Sequence, residues 1–325
     1  GITNEDFNSD PTLEQKRREF ANDAASKLNH SRLIRIDNAR NYNATDLGRV
    51  AARFYVDWET AELFSKSICQ GMTDDKILAL FGKAHEFNQL RVRDDEQPEL
   101  EVMASDKMVC PVNVLGGPAN TYGKVSILLQ AYLSRRFLDS FSLVSDCNYV
   151  LGNASRLFRA LFEITMTRVT DMSEMSDRLL EWCKMIDRRL WQSQHILRHF
   201  CYPPTEGNVK KGLTLDEGRK GGVLNEYIVK KLEDAGFDHW RLLDMNESEL
   251  TNITGAPQHG KAVAKYMRRV PNLKLNAKIQ PITSTIMRIT LIITPDFDWS
   301  DRWSGPSEPF HVWVENPETQ DILHN

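Results

Sequence analysis

The stretch Tyr149-Val-Leu-Gly-Asn-Ala-Ser-Arg-Leu-Phe-Arg-Ala-Leu-Phe-Glu-Ile-Thr-Met166 decides how the rest of the chain is read. Leu157, Phe158, Leu161 and Phe162 recur at helical spacing on one side, and Arg156, Arg159 and Glu163 recur on another. That pattern predicts a helix with one packing face and one charged face. Two arginines one turn apart can straddle successive phosphates of a single strand, with Tyr149 near enough to stack a base. An Arg159–Glu163 ion pair within the helix is the plainer alternative, and the pattern leaves both open.

Helical periodicity returns on either side of this segment. Thr45 is placed to cap a helix running to Tyr55, and Ile77–Phe87, Val125–Leu133 and Ser176–Gln192 repeat the spacing, so residues 45–202 read as a helical bundle. Upstream, Phe20, Ala21, Ala24, Ala25 and Leu28 predict an amphipathic helix, and Leu33–Ile36 with Tyr42–Ala44 predict a hairpin. Helix then hairpin makes residues 1–44 either the tail of a winged-helix fold or a local αββ unit of no special class. Downstream, residues 203–222 hold two prolines, five glycines and seven charged side chains, the composition of a mobile linker. Residues 223–272 then predict a helix over Asn225–Ala235 ended by Gly236, a shorter one near Glu247–Ile253, a hairpin over Gly255–Gly260 and a helix over Lys261–Val270 closed by Pro271, the order helix-hairpin-helix. From Leu273 the period becomes two, through Leu275, Ala277, Ile279, Met287, Leu291 and Ile293 and again at Phe310, Val312 and Val314. An immunoglobulin-like sandwich takes about 100 residues, and 53 lie from Leu273 to Asn325, so 273–325 reads as a truncated one. The expected class is mainly α with a β part.

The composition narrows the function. In 325 residues, 41 Lys plus Arg face 45 Asp plus Glu, a net charge of -4, with 41% hydrophobic residues: a globular chain that is not basic throughout. The longest uncharged stretch, Met108–Gly123, is too short and too broken by Pro111, Gly116, Gly117 and Pro118 to span a membrane. Gly1–Asp10 is polar and acidic, unlike a signal peptide, and a start at Gly1 reads as an excised fragment. Five cysteines without repeated spacing suggest reduced thiols and an intracellular protein.

No catalytic constellation is found. Gly116–Ser126 looks like a phosphate loop until the spacing is counted: Pro118 stands where a glycine is required, and Val125 rather than Ser or Thr follows Lys124. His195, His199 and Cys201 would make half a metal site, with no second half in the sequence, so partly buried polar residues are the favoured reading and no metal is assigned. The run Asp94-Asp95-Glu96, with Glu99 and Glu101, reads as a solvated helix start. Between Thr251 and Pro295, however, seven Lys or Arg occur with no acid. Lys261, Lys265 and Arg268 or Arg269 fall on one side of a helix expected to begin after a glycine-bounded hairpin, where backbone N–H groups and cations both meet phosphate. A solvated helix face explains the same residues.

Several strings then carry a family resemblance. Thr45-Asp-Leu-Gly-Arg-Val-Ala51, Glu86-Phe-Asn88 with Val92-Arg93, Lys124–Leu133, Asn153–Glu163, Cys183–Trp191, Ile279–Thr283 and Thr294–Trp299 resemble, in order, signatures of the Sec-sixty-three homology unit of large Ski-two-like nucleic-acid helicases. Asn120–Asp146 is most similar to a first cassette in that family. The resemblance covers Thr45 to the end. It implies a helical bundle with a long ratchet helix at Asn153–Glu163, a helix-hairpin-helix and an immunoglobulin-like domain, following a helicase core and winged helix. It further implies a non-catalytic unit without cofactor that guides a single strand and regulates or scaffolds the ATPase core of its own parent chain, among other subunits of a complex in the nucleus or cytoplasm. The nucleic-acid-binding residues expected are Arg156, Arg159, Lys261, Lys265, Arg268 and Arg269. The competing expectation is a protein-interaction scaffold of the translocation machinery. Two features depart from the family, the long 203–222 segment and the short final domain.

Overall fold

The computed structural model describes residues 12–168, 170–201, 224–283 and 286–324. Among them the protein is mainly helical, with 13 α-helices and three two-stranded antiparallel sheets. The expected linker at 203–222 lies outside the described residues. The described residues fall into two compact units, one running to Arg189 and including those from His311 onward, the other spanning Leu190–Phe310.

In the first unit, α1 (Glu14–His30) precedes a hairpin of β1 (Ile34–Ile36) and β2 (Tyr42–Ala44). None of the α1 residues is buried, so its apolar stripe is uncovered among the described residues. The Thr45 hydroxyl accepts the Gly48 N–H and starts α2 (Asp46–Phe54) as its capping chemistry predicts. Gly48 has no room for a side chain, because a Cβ there would sit 2.0 Å from the Leu33 carbonyl oxygen. Then come α3 (Trp58–Ser67), α4 (Asp74–Gly82) and α5 (Gln97–Ser105). The expected Ile77–Phe87 helix therefore starts earlier, stops at Gly82 and resumes only as a 3₁₀ turn at His85–Phe87.

α6 (Thr121–Leu133) is buried on every side from Gly123 to Ala131, the signature of a helix at the centre of a bundle. α7 (Phe141–Met166) packs against it and against α8 (Ser173–Arg188). The core between them is aromatic: Phe158 meets Phe81 at 4.8 Å and stacks on Trp182 at 5.5 Å between ring centroids. β5 (Val314–Asn316) and β6 (Asp321–His324) close this unit as a short hairpin. Phe310 and Val312, read as strand residues from their alternation, precede β5 and lie outside any strand.

The second unit contains α9 (Glu226–Asp234), α10 (His239–Leu243), α11 (Glu247–Thr254), α12 (Pro257–Met267) and α13 (Asp301–Ser304). Leu232, Leu242, Leu250, Val263 and Met267 form its core with Phe200, Tyr266 and Trp303. Its helix-to-helix turn is tighter than the spacing predicted. Gly255 takes φ 84°, and Pro257, whose ring fixes a helical φ and removes a donor that the first turn cannot use, starts α12 four residues before Lys261. Gly260 thereby lies inside α12 at its crossing with α11, where a Cβ would be 2.5 Å from Thr251 Oγ1 and 2.8 Å from its backbone nitrogen. β3 (Leu273–Pro281) and β4 (Met287–Pro295) pair in register from Leu273 opposite Pro295 to Pro281 opposite Met287. Past Leu273 every residue of these two strands is exposed, so neither face is covered among the described residues.

Candidate nucleic-acid interface

α7 supplies the first candidate surface. It begins at Phe141, eight residues before the segment that periodicity marked, and buries Leu143, Val150, Ala154, Leu157, Phe158 and Leu161. Burying that face leaves Arg156 and Arg159 on the other. The Arg156 guanidinium donates to the Tyr55 carbonyl and to Asn153 Oδ1, and lies 3.6 Å from the Glu86 carboxylate. Arg159 Nη2 donates to Asp187 Oδ2 on α8 at 2.7 Å. Glu163, the expected partner of Arg159, pairs with Arg53 of α2 at 2.9 Å. The charges on this stripe are thus matched across elements. Tyr149 donates its hydroxyl to the Glu86 carbonyl at 2.8 Å, which orients a partly exposed ring beside Arg156.

The same helix carries a second charge cluster of a different kind. Lys124 of α6 is fully buried, and its Nζ donates to Glu96, to Asp146 Oδ2 at 2.6 Å and to the Arg91 carbonyl at 2.9 Å. Glu96 is also fully buried and accepts from Ser142 and Arg93. Burial alone pushes its carboxyl up, but the hydrogen bonds from Lys124, Ser142 and Arg93 together outweigh burial and hold it at about 2. This corrects the reading of Asp94-Asp95-Glu96 as a solvated helix start: Asp94 and Asp95 are exposed, whereas Glu96 points inward where three donors converge. A signal for it existed in the sequence. Lys124 opens the largely apolar stretch Val125–Leu133, and a lysine buried among such residues needs carboxylates beside it.

On α12, Lys261, Lys265 and Arg268 are exposed along one side, and no ion pair holds any of the three among the described residues. Arg269 is half-buried with its guanidinium 5.4 Å from the Tyr266 ring centroid. Because α12 starts at Pro257, Lys261 lies one turn inside the helix rather than at its N-terminus. The cations therefore line the helix side and do not gather around its first backbone N–H groups.

The half metal site does not assemble. His195 Nδ1 accepts the Leu197 N–H at 3.2 Å, His199 Nε2 meets the Trp303 carbonyl at 3.0 Å, and Cys201 donates to the Leu197 carbonyl at 3.7 Å. Each would-be ligand thus meets a backbone group of Leu197 or Trp303. Asp57, Glu59 and His85 do gather, yet the two imidazole nitrogens turn to different carboxylates, 3.3 Å from Asp57 and 3.4 Å from Glu59. Burial pushes the thiols of Cys110 and Cys183 up to about 12 and that of Cys147 to about 11, which leaves them inert, and all five cysteines are free.

Residues 44–325 match the model of the Sec63 Brl domain family. The whole chain aligns at 37% identity with activating signal cointegrator 1 complex subunit 3 of Bos taurus, and at 35% with DExH-box ATP-dependent RNA helicase DExH14 of Arabidopsis thaliana. It aligns at 33% with the U5 small nuclear ribonucleoprotein 200 kDa helicase of Homo sapiens. In each alignment this chain is covered completely and spans 14% of the relative's length.

Proposed function

The chain belongs to the Sec63 Brl domain family, and we propose that it is a non-catalytic unit of an ATP-dependent helicase that guides a single strand along α7 and regulates or scaffolds the ATPase core of the same parent chain. One observation carries this reading. α7, 26 residues long and anchored by its apolar face, keeps Arg159 at the surface in a pair with Asp187 that water reaches, and Arg156 partly exposed above the nearly buried Glu86 carboxylate. The Arg159–Asp187 pair is of the kind worth about 0–1 kcal/mol, so a phosphate can replace that carboxylate at little cost. Lys261, Lys265, Arg268 and Arg269 supply a second set of phosphate contacts from α12, and Tyr149 a stacking ring.

The finer architecture is part of the same proposal. An uncovered α1 followed by the β1–β2 hairpin suits residues 1–44 as a winged-helix remnant, ahead of the bundle at 45–202 and the segment 203–222. Residues 223–272 suit a helix-hairpin-helix. β3–β4, exposed on both faces and apolar on the one that holds Leu275, Ile279, Ile289, Leu291 and Ile293, suits the opening pair of an immunoglobulin-like sandwich begun within 273–325. The partners inferred are the core of the same parent and other subunits of a complex, with no membrane, and the localisation inferred is intracellular, in the nucleus or cytoplasm. The name of the Arabidopsis thaliana relative makes RNA the first strand to try.

Binding of a single strand across a salt series tests the reading. An Arg156→Glu, Arg159→Glu variant should stay folded, bind more weakly and lose about 1.4 from the slope of log affinity against log salt, roughly 0.7 per phosphate contact. Sequence preference should hardly move, because phosphate contacts position a strand without reading it. Unchanged binding at low salt, in this chain and in the full helicase, would reduce the stripe to a solvated face.

A further inference from the structure

The C-terminal hairpin lies against α7 and α8 beside the arginine stripe. Three contacts fasten it: Ser173 N–H donates to the Gln320 carbonyl at 3.1 Å, Asp171 N–H to Asp321 Oδ1 at 3.1 Å, and the Ser173 hydroxyl to Glu315. The residues entering it place two rings over Phe162. His311 meets Phe162 edge to face at 4.8 Å between centroids, and Trp313 meets it at 6.4 Å. Phe162 is buried and one turn along α7 from Arg159.

His311 is exposed and Trp313 half-exposed, so the rings that cover Phe162 also present surface to solvent. Burial moves the His311 imidazole below its usual range; Glu163 opposes that shift, while Arg159, Arg53 and Lys184 reinforce it. The Trp313 indole N–H is already spent on Glu315 at 3.1 Å, which fixes the ring and leaves its π-face as the group still to be used. A bulge between Val314 and Glu315 shifts the strand register directly after Trp313, the kind of feature that re-aims a side chain. The neighbouring cations pair with exposed or half-exposed carboxylates, Arg159 with Asp187, Arg53 with Glu163 and Lys184 with Glu181, and such pairs yield readily to phosphate.

The geometry points to a nucleobase-stacking platform made of His311 and Trp313, with Arg159, Arg53 and Lys184 as its phosphate-contacting rim, at the C-terminal end of α7. It rests on the strand-guiding reading above and adds what that reading lacks, a base contact beyond the arginines. Aromatic faces framed by cations bind single strands in a sequence-tolerant way, because every base offers a π-face.

Two probes separate base stacking from charge: a single-stranded RNA of roughly 16 nucleotides and mixed sequence, and an abasic strand of the same length. A His311→Ala, Trp313→Ala variant of this chain should bind the RNA about tenfold more weakly, bind the abasic strand as the parent does, and keep the parent's salt slope. The Arg156→Glu, Arg159→Glu variant should weaken both strands and flatten the slope. RNA bound equally by the parent and the His311→Ala, Trp313→Ala variant overturns the platform alone, and so does an equal loss for both strands. A parent that holds neither strand overturns the platform and the strand-guiding reading together. Should the aromatic variant fail to fold, photo-crosslinking of 4-thiouridine RNA to the unaltered chain decides: adducts at His311 or Trp313 support the platform, and adducts confined to other residues overturn it.

Discussion

The two ends of α7 carry the same kinds of side chain and use them oppositely. Near its start, Asp146 and Ser142 join Lys124, Glu96 and Arg93 in a cluster whose lysine and glutamate see no water. Further along, Arg159 meets Asp187 at a surface that water reaches, while Arg156 lies 3.6 Å from a Glu86 carboxylate that is nearly buried. In the first place every donor of Lys124 is matched, and removing one member would strand charge in a medium of low dielectric. In the second, water screens the Arg159–Asp187 pair, and that carboxylate can be traded for another anion. Identical chemistry is thus a structural rivet where it is buried and an exchangeable contact where it is wet.

The largest effect should come from breaking the buried cluster. Lys124→Met leaves Glu96 and Asp146 uncompensated and should cost about 3–5 kcal/mol in denaturant unfolding; a loss below about 1 kcal/mol would mean that water enters the cluster.

Acid should find the same place. Glu96 has its folded pKa lowered from 4.5 to about 2, so its stabilisation is complete above about pH 4.5 and disappears as pH falls towards about 2. Circular dichroism during acid titration should show a steeper loss across that window for the parent than for Glu96→Gln, which is already weaker at neutral pH. Parallel curves would count against the cluster.

The exposed pair should barely register in stability. Arg159→Gln should change the unfolding free energy by no more than about 1 kcal/mol, even as it weakens strand binding. A much larger destabilisation would place Arg159 with Lys124 instead.

The smallest expected change is that of Asp187→Asn. Removing the carboxylate beside Arg159 should alter stability by about 0.5 kcal/mol or less and tighten single-strand binding modestly, since a negative charge leaves the path. Weaker binding in this variant would show that Asp187 holds Arg159 in its working position.

Much of this was legible in the sequence. Apolar spacing marked α7 and α6, Thr45 marked the start of α2, and Gly236 the end of α9, because caps and amphipathic stripes are local physics. The first turns of α7 were not legible. Ser142, Ser145, Asp146 and Asn148 interrupt the apolar pattern, and two of them are turned inward to serve Lys124 and Glu96. The start of α12 was misjudged for a related reason: Gly260 resembles a hairpin residue until its crossing with Thr251 is seen. The short α10 at His239–Leu243 offers too few turns for any period to show.

The sequence by itself determined that the chain is mainly helical, that α7 has an apolar and a charged side, and which family the chain resembles, since each follows from residues close together along the chain. Only the tertiary structure decided which charges are buried and which acid each cation meets. Glu96 reaches Lys124 across 28 positions, and Arg159 reaches Asp187 across the same separation. Ion pairs are set by distance in space and by the dielectric that packing creates, and neither quantity is written in a spacing of three or four residues.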